Sequence, residues 1–276
     1  MVTAIIQARM NSTRLPGKIL KTICGQPLLA LLAERVRYCE AVDDIVIATT
    51  VNPIDDPVKK LAGKINVKCY RGSEDDVLDR FYRAAEANNA EHVVRITADC
   101  PLIDPKVTRK VIDCYLKGDQ SGRPYDYVSN TISPTFPDGL DVEILGFPVL
   151  KRLHRVAVKA YQREHVTAYV AEHPQEFRVR NVAHDEDLSH LRWTVDRPED
   201  FDLIKEIFES LYPQKRIFYM EDVLELLKRK PFLQNKNVQF KRNEGFIESL
   251  DQQGLSALER KQVIDDVLHK GKFNEV

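Results

Sequence analysis

Neither of the two best-known phosphate-binding fingerprints is found where it would be needed. The chain has no G-x-x-x-x-G-K-[ST] and no G-x-G-x-x-G near its first apolar run, which excludes a P-loop and a Rossmann dinucleotide site. A dominant charge is also missing: 41 Lys and Arg stand against 42 Asp and Glu, without a basic stripe, so nucleic acid is not an expected partner. Long apolar runs are absent. Pro27 to Ala33 is the longest, far short of the roughly 20 residues a membrane span needs. The N-terminus does not show the basic, apolar and small-residue order of a secretion signal, so no membrane association and a cytoplasmic location are expected. The cysteines Cys24, Cys39, Cys69, Cys100 and Cys114 are odd in number and lack C-x-x-C or His-rich spacing, which argues against a disulfide framework and a zinc site. No internal repeat is detectable.

One local absence points to chemistry. No Asp or Glu occurs before Glu34, yet Arg9, Arg14, Lys18 and Lys21 all fall in that stretch. Val2-Thr3-Ala4-Ile5-Ile6 reads as a β-branched strand, Gln7 to Lys18 as a cationic loop with turn formers at Asn11-Ser12 and Pro16-Gly17, and Leu28 to Val36 as a helix. At the carboxyl end of the first strand of an α/β sheet, such a loop offers guanidinium forks, an ammonium and backbone N–H groups to a polyphosphate. The alternative is a solvated cationic surface.

Further strands are expected at Asp44 to Thr49, Val67 to Tyr70 and His92 to Thr97, with helices at Asp56 to Gly63 and from a Ser73 cap through Val77, Leu78, Phe81, Tyr82 and Ala85. This alternation predicts an α/β, doubly wound, mostly parallel sheet flanked by helices, with residues 1 to 100 as its nucleotide half. Asp104 and Pro105 start another helix. From Gly118 to Gly139 the pattern dissolves, apart from a short strand at Tyr125 to Ser129, and the stretch reads as an acceptor-binding loop. Beyond it come strands at Leu140 to Leu145, Phe177 to Val182 and Leu191 to Val195, and helices at Val149 to Val158, Arg163 to Glu172, Pro198 to Leu211 and Met220 to Lys230. Residues 1–230 are read as one domain and 231–276 as a polar linker and C-terminal helical extension, with a helix over Leu255 to Leu268 that either docks or frays.

Asp99 and Asp196 each follow an apolar strand reading, so both can point into one crevice; the alternatives are a turn residue before Pro101 and a cap for the helix at Pro198. On the acceptor side, Asp138, Asp141 and Glu143, with Arg163, Glu164 and His165, suit sugar hydroxyls and an acidic group. Asp141 and Glu143 share a strand face, solvated or ligand-facing. His165, at a near-neutral pKa, is available for proton transfer, or is structural.

Ala8, Arg9, Ser12, Arg14, Pro16, Gly17 and Lys18, with Thr97 to Ile103, Arg163 to Thr167 and Trp193 to Asp200, resemble the sugar-activating nucleotidyltransferases. They are most similar to the cytidylyltransferases that make CMP-activated acidic sugars, in the spore-coat polysaccharide (SpsF-like) group. The resemblance covers roughly residues 1–230. It implies a nucleotide-diphospho-sugar transferase (GT-A-like) fold and a Mg²⁺-dependent reaction in which a sugar hydroxyl attacks CTP to give a CMP-sugar and pyrophosphate, for polysaccharide or surface glycan synthesis. It also implies metal binding by Asp99 and Asp196, a triphosphate held by Arg9, Arg14 and Lys18 with Ser12 in the same loop, a base met near Gln7 and Ala8, and a homodimer. The alternatives are a uridylyl- or guanylyltransferase, a glycosyltransferase of the same fold, or a non-catalytic sugar-nucleotide-binding subunit.

Overall fold

A computed structural model describes residues 1–251 and 253–269. Its central sheet has seven strands: β1 (Val2–Gln7), β2 (Asp44–Thr50), β3 (Lys68–Gly72), β4 (His92–Thr97), β5 (Tyr127–Ser129), β6 (Glu143–Gly146) and β7 (Val179–Asn181). Their spatial order is β3-β2-β1-β4-β6-β5-β7. β1 pairs in parallel with both β2 and β4, and β2 with β3; β6 alone runs against its neighbours β4 and β5, while β5 and β7 are again parallel. The mostly parallel sheet expected from the sequence is present.

Side-chain alternation along the central strands divides the core into two layers. Ala4 and Ile6, Ile45 and Ile47, and Val94 and Ile96 join the layer covered by helices α1 (Leu28–Arg37), α2 (Asp56–Lys64) and α4 (Pro105–Lys117). Ile5, Val46, Ala48 and Val93 point the other way, onto α3 (Val77–Ala87) and α5 (Phe147–Val156). A strand buried on both faces needs apolar residues at successive positions, which is why these segments read as continuous apolar runs. Asp104 caps α4 as expected, accepting from the N–H groups of Lys106 and Val107 at 2.7 and 3.2 Å. The cap of α3 is Asp76, not Ser73; the Ser73 hydroxyl instead accepts from the Asp76 N–H at 3.1 Å.

Two other expectations change. The single helix read over Arg163 to Glu172 is two short ones, α6 (Ala160–Glu164) and α7 (Ala168–Glu172), because Val166 takes a positive φ of 47°. Leu191 to Val195 is extended but is no ladder strand. It makes one isolated bridge, between Arg192 and Asp138, and then turns to a second partner, Val195 donating to the Asp99 carbonyl at 2.7 Å. Helices α8 (Pro198–Leu211) and α9 (Met220–Arg229) follow. The chain then returns across the body as α10 (Glu244–Asp251) and α11 (Ala257–Ile264), with Leu233, Phe246, Leu250 and Val263 buried. Of the apolar positions expected to dock there, Leu258 is 79% exposed. Residues 270–276 of the proposed extension lie outside the described residues. No described helix is long and apolar enough to cross a membrane.

Candidate active site

The loop after β1 folds back under its own turn formers. Gly17, at φ 67°, donates its N–H to the Met10 carbonyl at 3.1 Å, and Met10 is anchored in turn by its N–H on Asp55 Oδ1 at 2.6 Å. This brings Lys18 inside. Its Nζ donates to the Val195 carbonyl at 2.6 Å and to Asp196 Oδ1 at 2.8 Å, and lies 3.5 Å from Asp99 Oδ2. Arg14 Nη2 reaches the same Asp196 oxygen at 3.1 Å. Burial opposes the Lys18 charge, but Asp99 and Asp196 outweigh it and hold the ammonium above the ordinary lysine pKa. Burial likewise disfavours an ionised Asp196, and Lys18, Arg14 and Arg192 outweigh it, so this carboxyl lies below the usual range.

Backbone contacts fix where the two acids stand. The Asp138 N–H donates to the Leu191 carbonyl at 2.9 Å and the Trp193 N–H to the Asp138 carbonyl at 2.6 Å, and Thr194 Oγ1 donates to the Asp99 carbonyl at 3.1 Å. The approach requires Gly139, at φ 109°, since a Cβ there would lie 2.6 Å from Thr194 N. Asp99 from the end of β4 and Asp196 from the far end of the chain's body are thereby laid side by side.

They face a cleft of about 520 Å³. Every residue assigned to the site lines it except Arg163: Gln7, Ala8, Arg9, Ser12, Arg14, Lys18, Asp99, Asp138, Asp141, Glu143, Glu164, His165 and Asp196 are all on its walls, while the further cation Lys21 is exposed away from it. Arg163 turns away, its Nε donating to Asp76 Oδ2 at 2.9 Å and its Nη1 to the His154 carbonyl at 2.8 Å, so it ties α6 to the cap of α3. Three of the acceptor-side carboxylates have a cation. Asp138 Oδ2 accepts from Arg192 Nη1 at 3.1 Å, Asp141 from Arg242, and Glu143 from Arg95 as well as from Tyr127 Oη at 2.9 Å and Thr167 Oγ1 at 2.6 Å. Burial, then the charge of Asp141, raises the pKa of Asp138; burial raises that of Asp141 despite Arg242. Glu143 is 7% exposed, so the solvated-face alternative does not hold for it; Asp141 lies ahead of β6, not on it, and keeps 30% of its side chain exposed on the cleft.

His165 departs from the expectation of a near-neutral pKa. Burial, then Arg95 and Arg9, push it down to about 3, although Glu164 Oε2 is 3.9 Å from its Nε2. The ring is therefore neutral at pH 7, with Nε2 2.8 Å from Ser249 Oγ and Phe246 packed edge-on at 4.7 Å. An unfolded chain binds a proton on this residue from about pH 6.5 downward while the folded one does not until about pH 3. Stability contributed at neutral pH should thus fall across that window. Melting temperatures measured from pH 7 to pH 4 should drop less steeply in His165→Gln than in the wild type; parallel curves would contradict the assignment.

Several lining residues carried no sequence signal that was read. Arg242, Phe246, Glu248 and Ser249 come from the polar C-terminal segment, where the surrounding Lys and Asn residues read as solvated. Arg192 between Leu191 and Trp193 was a better clue, since a lone charge in an apolar run needs a partner.

As candidate metal ligands, Asp99 and Asp196 bring hard oxygens from two separate segments close together, the donor type taken by Mg²⁺, which binds one or two carboxylates and fills its shell with water and phosphate oxygens; the point between them is filled by the Lys18 ammonium in this structure. Among the described residues no group of three or more His, Cys, Asp or Glu is placed to hold a metal alone. Substrate oxygens would have to complete such a shell.

Known proteins with the same pattern were found. A family model described as cytidylyltransferase matches residues 3–244. The spore coat polysaccharide biosynthesis protein SpsF of Bacillus subtilis is 35% identical over 234 residues, which is 82% of this chain and 94% of that protein. A cytidylyltransferase structure from Leptospira borgpetersenii, 33% identical, aligns with a TM-score of 0.80 over 84% of this chain and 96% of its own. The fold is shared with CMP:2-keto-3-deoxy-manno-octonic acid synthetase complexed with CTP, at 16% identity and a TM-score of 0.57 over 76% of this chain and 98% of that one.

Proposed function

The chain belongs to the cytidylyltransferase family, and from that premise we propose that it couples CTP to the hydroxyl of an acidic or keto sugar, giving a CMP-sugar and pyrophosphate for a polysaccharide or surface glycan. The observation that carries this reading is the convergence of Lys18 and Arg14 with Asp99 and Asp196 at one point of the cleft. Arg14 and Lys18, with Arg9 at the rim, hold the triphosphate, and the two inner cations meet the negative charge that grows on the departing pyrophosphate. Asp99 and Asp196 would hold Mg²⁺, whose chemistry there would be to offset the charge of the phosphates. Gln7, Ala8 and Ser12 border the nucleotide. Asp138, Asp141 and Glu143, kept in place by Arg192, Arg242 and Arg95, hold the acceptor so that its hydroxyl lies in line with the scissile bond. Glu164 and neutral His165 complete that wall. The keto-acid acceptor is favoured by the likeness to the octonic acid synthetase and by the many arginines in the cleft.

The test is a thermal-shift titration with CTP, UTP, GTP and ATP, each with and without Mg²⁺, followed by assays of pyrophosphate release from CTP with keto-acid sugars. A ligand at a hundred times its dissociation constant adds roughly 2.7 kcal/mol to the folded state. Stabilisation by CTP in preference to the other three is expected. Equal or greater stabilisation by UTP or GTP would overturn the base assignment.

A further inference from the structure

Helix α10 has two faces with different tasks. Phe246 and Leu250, four residues apart, turn one face inward, where they are buried with Val263 against Tyr161 of α6 and Ala168 of α7. Ser249 adds a hydrogen bond to His165 at 2.8 Å. Glu244 and Glu248, also four apart, present their carboxylates together elsewhere on the helix. Both meet Arg197: Glu244 Oε2 lies 3.2 Å and Glu248 Oε1 3.6 Å from its Nη2. The second oxygen of Glu248 accepts from Arg14 Nη1 at 3.1 Å. The backbone of α10 is equally close, since a Cβ added to Gly245 would lie 3.1 Å from Arg14 Nη2. The match to the family ends at Glu244, so the carboxylate on Arg14 comes from just beyond it.

Arg14 is one of the two inner cations assigned to the triphosphate, and both of its terminal nitrogens are on carboxylates: Nη2 on Asp196 and Nη1 on Glu248. A guanidinium receives a carboxylate and a phosphate with the same N–H groups. At Nη1 the two anions therefore exclude one another. The two carboxylates differ in how firmly they are held. The Asp196 side chain is 16% exposed and is bound by Lys18 and Arg192 as well. That of Glu248 is 46% exposed, and an ion pair open to water contributes little. Losing Arg14 Nη1 does not undock α10, because Phe246 and Leu250 anchor its other face and Arg197 is already beside the first Glu248 oxygen.

We propose that Glu248 is a competitor of the nucleotide built into the chain. Before CTP binds, it holds Arg14 in the place of a phosphate oxygen; as the triphosphate enters, it yields Arg14 and keeps Arg197. Helix α10 stays docked throughout. The exchange weakens the apparent affinity for CTP and for any polyphosphate, because the state in which Arg14 can meet the ligand is only a fraction of the population. The inference rests on the triphosphate assignment of Arg14 and adds a control on it.

The experiment is calorimetric titration with CTP and, in parallel, inorganic tripolyphosphate, with Mg²⁺ and without acceptor, on wild type, Glu248→Gln, Arg14→Met and the double variant. Tripolyphosphate carries no base, so a wrong base assignment leaves this test intact. In Glu248→Gln the Kd for both ligands should fall roughly three- to fivefold, the scale of one exposed ion pair. In the Arg14→Met background the same change should leave Kd where it is, because the contact it acts through is gone. A carboxylate acting only through its negative field would tighten binding by the same factor in both backgrounds, and that result overturns the proposal. So does a Glu248→Gln chain, with the wild-type circular dichroism spectrum, whose Kd is unchanged or higher; a higher value would make Glu248 a contact that closes over bound nucleotide. Binding of neither CTP nor tripolyphosphate by wild type and Glu248→Gln removes the triphosphate assignment itself, and with it the premise.

Discussion

Replacing Lys18 with alanine should lower kcat/KM for CTP on the order of a hundredfold, comparable to removing one preorganised donor from a charge-developing site. Among the described residues the ammonium is the one cation paired with both Asp99 and Asp196, and it is held by the Val195 carbonyl at 2.6 Å, so its position is set before any substrate arrives. The fold should survive the change. Asp196 keeps Arg14 at 3.1 Å and Arg192 at 3.0 Å, and the Asp99 side chain is 29% exposed and can be hydrated. Arginine at this position is a poor substitute, since its fork cannot occupy the point where a compact ammonium lies between two carboxylates. Steady-state assays of pyrophosphate release, with melting temperatures as the control, decide the matter. A Lys18→Ala enzyme of unchanged rate would remove the triphosphate assignment for the whole loop.

What could be read beforehand follows from how local each feature is. β1, β2 and β4 are buried on both faces, so their composition alone identifies them, and the helices that cover them carry clean 3.6-residue periods with Asp104 as cap and Pro105 at the first turn. The cationic loop was legible because its charges sit in a segment otherwise free of acids. The extended stretch at 191–195 was not legible as it is: its apolar residues look like a strand, whereas its hydrogen bonds go first to Asp138 and then to Asp99, a choice made by segments more than fifty residues away. Arg163 illustrates the same limit. Beside Glu164 and His165 it reads as part of a site, but the break at Val166 sends the chain apart and leaves its guanidinium on Asp76. The C-terminal segment is the largest omission. Its sequence is polar because much of it faces water and the cleft, and its contacts, Arg242 on Asp141, Phe246 and Ser249 on His165 and Glu248 on Arg14, are all long-range.

Removing Arg192 should cost the fold more than removing any cation at the phosphate end. This guanidinium, 7% exposed, joins three acids: Nε and Nη2 fork onto Asp200 at 3.0 and 3.1 Å, Nη1 meets Asp138 at 3.1 Å, and Nη2 also meets Asp196 at 3.0 Å. Asp200 is fully buried and accepts from the backbone N–H groups of Asp196 and Arg197 and from Asn237 Nδ2, so its oxygens start α8 and hold the returning segment. Arg192→Leu leaves that charge, and Asp138, without their cation. Breaking a buried pair on one side costs about 3–5 kcal/mol, which for a chain of this size is a fall of roughly 10 °C in melting temperature. Asp200→Asn in the same chain removes the stranded charge while an amide oxygen can still accept from the backbone, so the double variant should recover part of the loss. A single variant that melts within a degree or two of wild type would mean that Asn237 and the α8 N-terminus satisfy Asp200 by themselves, and that the link from Asp138 through Arg192 to Asp196 does not hold the two ends of the cleft together.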